Sequence, residues 1–354
     1  MNIKIERTLT PKPKPPSDKL GFGQHFTDHM FVMDYTTGRG WHDPVIIPYS
    51  PLVIDPASLV FHYGQAVFEG LKAYRADDGR VLMFRPEKNF ERLNASDERL
   101  CIPHIDVEQA IGALIELVKL DADWIPSAPG TSLYIRPFVI ATEAVLGVRP
   151  SGSYKFIIIL SPVGSYYPEG INPIKIFIED KYVRAVRGGI GETKGSANYV
   201  SGMKGQAKAQ AMGYSQVLWL DAIDRKYIEE VGAMNVFFKI DGELITPELS
   251  GSILPGITRD SVIKLASSWG VHVVERKISV FELFEAHEKG ILEEAFGSGT
   301  AAVISPIGKF NWQDFKITVG DGDIGAFSRH VYDELTGIQY GKRPDKFGWV
   351  RVIE

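Results

Sequence analysis

The pattern of hydrophobic and polar positions in the first half of the chain predicts short strands and two helices. Strand-like alternation marks residues 27–35, 44–54, 132–141 and 154–160. Apolar positions with helical spacing predict one helix over residues 89–100 and a second after Asp106, where Asp106 and Gln109 have the form of a capping box. Residues 1–20 contain four prolines and are expected to form an extended arm.

The second half alternates strands and helices. The pattern predicts strands at residues 174–179, 216–220, 236–240 and 243–246. It predicts helices at residues 258–269 and 280–289, and a further helix that starts near Ser196 or Asn198 and is stopped by Gly213. Asp241-Gly242 is typical of a two-residue hairpin turn. A stretch rich in glycine, proline and tyrosine, residues 161–173, separates the two halves. We therefore expect an arm at residues 1–20, a small domain at 21–162, an interdomain loop at 163–172 and a large domain at 173–354.

Composition and charge narrow the range of functions. The 354 residues are 44% hydrophobic and 23% charged, as in ordinary globular proteins, and a net charge of −5 argues against nucleic acid as the main partner. A small molecule is the expected partner. The single cysteine, Cys101, excludes an internal disulfide framework and favours a reducing compartment. The apolar runs have only strand length and the first twenty residues lack an export signal, so we expect a cytoplasmic protein without membrane contact.

Several short motifs do not fit the chemistry that they first suggest. In the glycine-rich segment 188–196, Lys194 is followed by Gly195 instead of serine or threonine, so the segment is not a Walker A loop. Residues 297–302 are similar to a dinucleotide fingerprint, but no helical pattern follows them. His25 and His29 lack the glutamate of a zinc-protease motif, and the chain contains no Gly-x-Ser-x-Gly. We therefore expect no metal site and no nucleophile-elbow hydrolase.

Lys194 is the strongest candidate for chemistry. It lies among small residues just before a predicted helix N-terminus, where the helix end and partial burial would favour a neutral amine that can attack an aldehyde. A phosphorylated aldehyde cofactor also needs an anion site, which Gly256-Ile257-Thr258 or a tight loop at residues 297–300 could supply, and a partner for its ring nitrogen, such as Glu230. A solvated lysine, a plain helix cap, a β-turn and a surface carboxylate are the alternatives.

Motifs along the whole chain from Gly21 match one family. In the second half they are Lys194-Gly195-Ser196-Ala197-Asn198-Tyr199, Gln216-Val217-Leu218-Trp219-Leu220, Glu230-Val231-Gly232-Ala233-Met234-Asn235, Leu254-Pro255-Gly256 and Phe296-Gly297-Ser298-Gly299-Thr300-Ala301. In the first half they are Phe26-Thr27-Asp28-His29-Met30, Phe68-Glu69-Gly70-Leu71-Lys72, Phe84-Arg85-Pro86 and Ser132-Leu133-Tyr134-Ile135-Arg136-Pro137. Together they resemble the branched-chain amino acid aminotransferases, which are pyridoxal-phosphate enzymes of fold type IV.

The resemblance implies an α/β (α+β) protein of two domains, a smaller N-terminal α/β domain and a larger domain with a β-rich core and surrounding helices. Pyridoxal 5′-phosphate would lie in the cleft between them. Lys194 would bind the cofactor covalently and act as the general base. The resemblance assigns the phosphate to Arg92, Ile257, Thr258 and Thr300, the phenolic oxygen to Tyr199 and the pyridine nitrogen to Glu230.

The implied reaction transfers the amino group of L-leucine, L-isoleucine or L-valine to 2-oxoglutarate by a ping-pong mechanism. The residues that the resemblance places around the substrate are Phe22, Tyr63, Phe68, Tyr134, Arg136, Tyr166, Thr300 and Ala301. Arg136 would meet the side-chain carboxylate of glutamate, and the Thr300-Ala301 turn with Tyr134 would bind the α-carboxylate. The aromatic residues could instead be core packing. The resemblance also implies a homodimer in which the partner's small domain completes the pocket.

Two departures and two alternatives accompany this resemblance. Ser196 and Ala197 replace a pair of glycines that many members carry after the lysine, and Ala302 and Ser305 replace a redox-sensitive cysteine pair found in some. Within the fold type, a D-amino acid aminotransferase or an aminodeoxychorismate lyase would share the lysine, the glutamate and the arginine. A non-catalytic protein that binds a phosphorylated ligand is the alternative from another class.

Overall fold

The computed structural model describes residues 2–166 and 171–353. The chain forms two compact units: the first contains residues 1–168, 194–197 and 337–354, and the second contains residues 169–193 and 198–336. Residues 167–170, which belong to the predicted interdomain loop, lie outside the described residues. Residues 337–354 group with the first unit, whereas the sequence placed them in the second domain. The predicted domain limits stay a prediction.

The described residues form strands and helices in the following order. The strands are β1 (Lys4–Ile5), β2 (His29–Thr36), β3 (Gly40–Pro48), β4 (Ala66–Phe68), β5 (Leu71–Arg75), β6 (Val81–Phe84), β7 (Ser132–Ala141), β8 (Ser153–Val163), β9 (Ile174–Glu179), β10 (Gln216–Leu220), β11 (Ile228–Val231), β12 (Met234–Ile240), β13 (Glu243–Thr246), β14 (Val273–Glu275), β15 (Leu292–Gly299), β16 (Val303–Trp312), β17 (Phe315–Thr318) and β18 (Val350–Ile353). The helices are α1 (Leu59–Tyr63), α2 (Pro86–Arg99), α3 (Val107–Leu120), α4 (Ser196–Ser201), α5 (Met203–Ala211), α6 (Ile257–Ser268), α7 (Val280–Glu288) and α8 (Ala326–Gln339).

The first unit is built on one sheet with the order β1-β3-β2-β8-β7-β5-β6-β18, and β4 pairs with β7. Its apolar core includes Phe31, Leu114 and Phe156, all fully buried. The expected cap of α3 is confirmed, because the Asp106 side chain accepts a hydrogen bond from the Gln109 amide. Antiparallel pairing of β18 with β6 explains why the C-terminal residues belong to this unit.

The second unit contains a mixed sheet with the order β11-β10-β9-β16-β15-β12-β13-β14. Because β11 also pairs with β12, six of these strands close into a ring. The predicted hairpin between β12 and β13 is confirmed, since Asp241 and Gly242 have φ values of 49° and 80°. Among the described residues, no helix is both long and apolar enough to cross a membrane.

Two predicted elements differ from the structure. The helix expected from Ser196 to Gly213 is interrupted at Gly202, which forms the N-terminal end of α5. A Cβ atom at Gly202 would lie 3.2 Å from the Trp219 ring, so the break brings a residue without a side chain against this indole. The strand predicted over residues 44–54 ends at Pro48, where proline has no amide hydrogen to donate to a sheet.

Buried polar side chains hold the N-terminal arm. The Thr8 amide donates to Nε2 of His29 over 2.9 Å, and Nδ1 of the same ring lies 2.6 Å from Asp121. The Lys12 amide donates to Asp28 over 2.8 Å. His29 therefore anchors the arm, and both of its ring nitrogens are used within the fold.

Asp97 in α2 is a buried acid that makes the fold sensitive to pH. Neither of its carboxyl oxygens has a hydrogen-bond partner among the described residues, and burial raises the pKa of Asp97 well above its usual value. The folded state therefore keeps a proton that the unfolded chain releases above about pH 4. The resulting loss of stability grows as pH rises from there toward the folded-state pKa.

We predict that Asp97→Asn is more stable than the parent at neutral pH, by about 1.4 kcal/mol for each pH unit between the unfolded-state pKa and either the measuring pH or the folded-state pKa, whichever is lower. Urea unfolding of both proteins at pH 5 and pH 8 measures this difference. The gain should be larger at pH 8, and an equal gain at both values would contradict the assigned proton.

Candidate active site

Lys194 is fixed through its backbone within the first unit. Its carbonyl accepts a hydrogen bond from the Phe68 amide over 3.0 Å, and its own amide donates to Oγ of Ser96 over 3.0 Å. The next residue, Gly195, forms an antiparallel bridge with Val67. Nζ of Lys194 lies 5.1 Å from the centre of the Phe68 ring. The half-buried lysine side chain therefore starts from a fixed position beside β4.

Glu69 and Arg92 form a buried ion pair close to this lysine. Nε of Arg92 lies 2.7 Å from one carboxylate oxygen of Glu69, and Nη2 lies 3.0 Å from the other. Asn89 and the Gly70 amide donate to the same carboxylate. Burial alone would raise the pKa of Glu69, but Arg92, Lys194 and these donors together hold it below its usual range. The pair fixes the plane of the Arg92 guanidinium, which suits the recognition of phosphate.

Four of the residues that the sequence assigned to the substrate lie together in the first unit. The guanidinium of Arg136 lies 4.7 Å from the centre of the Phe68 ring, and its Nη2 donates to the Tyr134 hydroxyl over 3.1 Å. Phe22 meets Tyr134 edge-on, with 4.9 Å between ring centres. Nε of Arg136 is buried and has no hydrogen-bond partner among the described residues. This group offers apolar walls and an unused cationic donor, as an aliphatic or carboxylate side chain would need.

Tyr63 and Tyr166 are placed differently. The Tyr63 hydroxyl donates to the carbonyl of Leu146, and its side chain is 42% exposed. Tyr166 is 48% exposed. Their assignment to the substrate stays a prediction.

A glycine makes room for Tyr134. A Cβ atom at Gly70 would lie 2.1 Å from the Tyr134 hydroxyl oxygen, a distance that no side chain can occupy. Lys72 in β5 lies directly opposite Tyr134 in β7. Burial lowers the pKa of Lys72 to about 8. Lys72 thus adds a second, more readily neutralised cation to the sheet face that carries Tyr134.

Glu230 and Tyr199 lie in the second unit and line the same cavity, which has a volume of about 330 Å³. Glu230 in β11 is buried, so the surface alternative is wrong for this residue. One of its oxygens accepts a hydrogen bond from the Leu254 amide over 2.9 Å, and the other lies 3.2 Å from Nε of Arg184. A carboxylate beside a guanidinium and a phenol hydroxyl match the ring nitrogen and phenolic oxygen of a pyridoxal ring.

The start of α6 offers backbone donors for an anion. Its N-terminal residue Gly256 leaves the helix without a side-chain cap, and Thr258 is buried in the first turn. A Cβ atom at Gly256 would lie 2.0 Å from Oδ1 of Asn235, whose amide group donates to the Leu254 carbonyl over 2.9 Å. The glycine therefore lets this loop sit closely on β12 with the helix end open, a setting typical of phosphate sites.

The second predicted anion loop is shorter than the sequence suggested. Residues 297–300 were expected to form a tight loop, but Gly297 and Gly299 belong to β15, which pairs with β12 and β16. The turn itself starts at Thr300 and includes Ala301. The Ser298 hydroxyl is buried and has no hydrogen-bond partner among the described residues. Hydroxyl donors are therefore concentrated at this strand end.

Comparison with known proteins places this geometry in a family. The model of the family described as amino-transferase class IV matches residues 66–310. The chain belongs to the class IV aminotransferases. The family was expected from the sequence motifs and is confirmed. The matched segment contains Arg92, Arg136, Lys194, Tyr199 and Glu230.

Relatives of this class IV aminotransferase match it over almost its whole length. Branched-chain-amino-acid aminotransferase 2 of Bacillus subtilis (strain 168) is 61% identical over 99% of this chain and 97% of its own. The branched-chain-amino-acid aminotransferase of Mycolicibacterium smegmatis is 46% identical over 98% of each chain. The solved branched-chain amino acid aminotransferase of Escherichia coli has a TM-score of 0.76 at 28% identity, over 92% of this chain and 99% of its own. The predicted fold class is confirmed.

Sequence reasoning gave no role to three charged residues that lie beside candidate residues of the two units. These are Glu69, Lys72 and Arg184. Glu69 and Lys72 stand in a quoted motif, but nothing in a single sequence shows which cations and carboxylates meet. For Arg184 a signal exists in principle, because a buried Glu230 requires a cationic partner. The sequence does not say which of the many arginines supplies it.

Proposed function

We propose that this class IV aminotransferase transfers the amino group of leucine, isoleucine or valine to 2-oxoglutarate with pyridoxal 5′-phosphate as cofactor. The 61% identity to branched-chain-amino-acid aminotransferase 2 over nearly the whole chain is the observation that carries this proposal. Another solved branched-chain amino acid aminotransferase, which contains pyridoxamine 5′-phosphate, is 25% identical to this chain with a TM-score of 0.76. The donors beside Lys194 in the first unit, and Tyr199 with Glu230 in the second unit, each suit a part of that cofactor.

When bound, the cofactor supplies an aldehyde that takes up the amino group and a ring that delocalises the electrons left on the substrate carbon. Lys194 is proposed to hold it covalently and, through its freed Nζ, to move the proton from the substrate α-carbon. Tyr199 donates a hydrogen bond to the phenolic oxygen, and Glu230 keeps the ring nitrogen protonated. The residues proposed to hold the phosphate are Arg92, Ile257, Thr258 and Thr300.

The same pocket has to accept an aliphatic side chain and a carboxylate in turn. Phe22, Phe68 and Tyr134 are proposed to provide the apolar walls, and the buried Nε of Arg136 to meet the glutamate carboxylate. Tyr63 and Tyr166 remain proposed members of these walls. The amides of Thr300 and Ala301 are proposed to bind the α-carboxylate shared by both substrates.

Exposed apolar side chains support the proposal of a homodimer. Phe61 in α1 is 61% exposed, and Leu146 and Val148 in the loop between β7 and β8 are 65% and 82% exposed. Such side chains are typical of a surface that a second protein covers. A partner copy is proposed to complete the substrate pocket with this loop. A cytoplasmic location, expected from the single cysteine, stays a prediction.

The proposed function predicts that Lys194 alone bonds to the cofactor. The protein reconstituted with pyridoxal 5′-phosphate should convert leucine and 2-oxoglutarate to the corresponding oxo acid and glutamate. Borohydride treatment followed by peptide mapping should place the cofactor label on Lys194, and Lys194→Ala should lose both label and turnover. Lys204→Ala, which changes a nearby lysine of α5, is the matched control. A label on another lysine, or no turnover of leucine by loaded protein, would contradict the proposal.

Arg136→Ala is predicted to impair the glutamate half-reaction more than the leucine half-reaction, because only glutamate has a side-chain carboxylate. A lost charged hydrogen bond of about 1.5–3 kcal/mol corresponds to roughly ten- to a hundred-fold in kcat/KM. Single-turnover rates with each amino acid measure the difference. Equal losses would mean that Arg136 serves the shared α-carboxylate or the fold.

Val148→Asp is predicted to weaken self-association, since a charge would be buried in the proposed apolar interface. Sedimentation velocity at several protein concentrations compares the variant with the parent. Ile223→Asp, which also adds a charge at an exposed apolar residue but in the second unit, is the control and should leave the dimer intact. A monomeric parent protein with full turnover would exclude the proposed dimer.

A further inference from the structure

Two adjacent carboxylates in the second unit lie near one guanidinium. Glu229 and Glu230 follow each other in β11 and are 6% and 4% exposed. The side chain of Arg184 is 9% exposed, and its Nε lies 3.2 Å from Oε2 of Glu230. The distance makes this contact an ion pair. It is not a hydrogen bond, because Nε has no hydrogen-bond partner among the described residues. Arg184 thus contacts Glu230 directly, and its charge also acts on the neighbouring Glu229.

Two hydrogen bonds, one through its guanidinium and one through its backbone, hold Arg184 in place. Nη2 of Arg184 donates to the Ser252 carbonyl, and the Ser201 hydroxyl donates to the Arg184 carbonyl. The loop that carries Ser252 packs closely, because a Cβ atom at Gly191 would lie 2.4 Å from the Ser252 carbonyl oxygen. Arg184 therefore cannot move away from Glu230 without breaking these contacts.

The surroundings of Glu229 favour its neutral form. Burial raises the pKa of Glu229, and the negative charges of Glu230 and Asp221 act in the same direction against the lowering effect of Ser252 and Arg184. The Ser252 hydroxyl bonds to Oε1 of Glu229, while Oε2 has no hydrogen-bond partner among the described residues. When one of two neighbouring acids holds its proton, the cation is left to the other.

More charged groups surround Glu229 from other parts of the unit. Arg187, Asp221, Asp224, Glu248 and Lys277 line the same small cavity as Glu229. They are two cations and three carboxylates, so negative charge is in excess around Glu229 and also favours its neutral form. The difference between Glu229 and Glu230 therefore depends on Arg184, on burial and on this excess of negative charge.

We propose that Arg184 is a positioning residue that keeps Glu230 ionised and in place toward the cofactor ring nitrogen, while Glu229 stays neutral beside it. The inference rests on the proposed function, since it assigns a purpose to the charge of Glu230. Arg184 acts through Glu230 and touches no substrate atom in this account. Without Arg184, the buried Glu230 would lose the positive charge 3.2 Å from its carboxylate, and its neutral form would be favoured.

The proposed role of Arg184 is tested by measuring whether the ring nitrogen of the bound cofactor is protonated. Parent protein and variants are reconstituted with pyridoxal 5′-phosphate labelled with ¹⁵N in the ring, and the ¹⁵N chemical shift is followed against pH. We expect a protonated nitrogen at neutral pH in the parent and a largely unprotonated one in Arg184→Gln, as in Glu230→Gln. The leucine half-reaction of Arg184→Gln should slow at least about tenfold, and the double variant should be no slower than Glu230→Gln.

Lys208→Gln is the matched control, because it removes the cation from another buried carboxylate, Glu179, in the same unit. Its ring nitrogen should titrate as in the parent. Glu229→Gln, a near-isosteric change, should also keep the nitrogen protonated, because the proposal holds Glu229 neutral already. This second variant keeps the proposal testable if Arg184→Gln does not fold.

The outcomes separate the two levels of inference. A parent protein that does not load cofactor on Lys194 or does not transaminate leucine would refute the proposed function itself. A loaded and active parent whose ring nitrogen keeps its protonation in Arg184→Gln would overturn only the role of Arg184. A clear change in Glu229→Gln would overturn the assignment of the guanidinium charge to Glu230 alone.

Discussion

A buried carboxylate needs hydrogen-bond donors and a positive charge close to it. In the first unit this carboxylate is the side chain of Glu69. Its side chain is fully buried between α2 and the turn that joins β4 to β5. Arg92 and Asn89 reach it from α2, and the Gly70 amide reaches it from the turn. Because each donor comes from a fixed element, the ion pair sets the position of the helix relative to the strand that holds Lys194.

Glycines determine how closely the polar groups approach one another. Gly70 leaves space for the Tyr134 hydroxyl, and Gly256 leaves space for the Asn235 amide. Neither glycine has a positive φ, so their value here is the absent side chain and not backbone freedom. The missing side chain at Gly70 thus lets Tyr134 take its position. The missing side chain at Gly256 does the same for Asn235 at the open end of α6.

The elements that were predicted well from sequence are those whose signal is local. Strands β7, β9 and β10 follow from their own apolar patterns, and the hairpin at Asp241 follows from the turn residues alone. The break at Gly202 was missed because it depends on Trp219, which lies on another element. For the same reason the motifs predicted roles for Lys194 and Glu230, but they predicted none for Glu69 or Arg184. An ion pair between distant residues leaves no periodic pattern in the chain.

The two units differ in which kind of buried charge is in excess. In the first unit Arg92 and Lys194 stand against the single carboxylate of Glu69, so positive charge is in excess. In the second unit Glu229 and Glu230 lie near the single guanidinium of Arg184, and burial with the neighbouring negative charges raises the pKa of Glu229. An ionised Glu230 can then favour a protonated ring nitrogen, while an excess of cations favours a phosphate. The first unit by itself thus has the charge that suits a phosphate, and the second unit by itself has a carboxylate that suits a protonated ring nitrogen, and neither point depends on the sequence motifs.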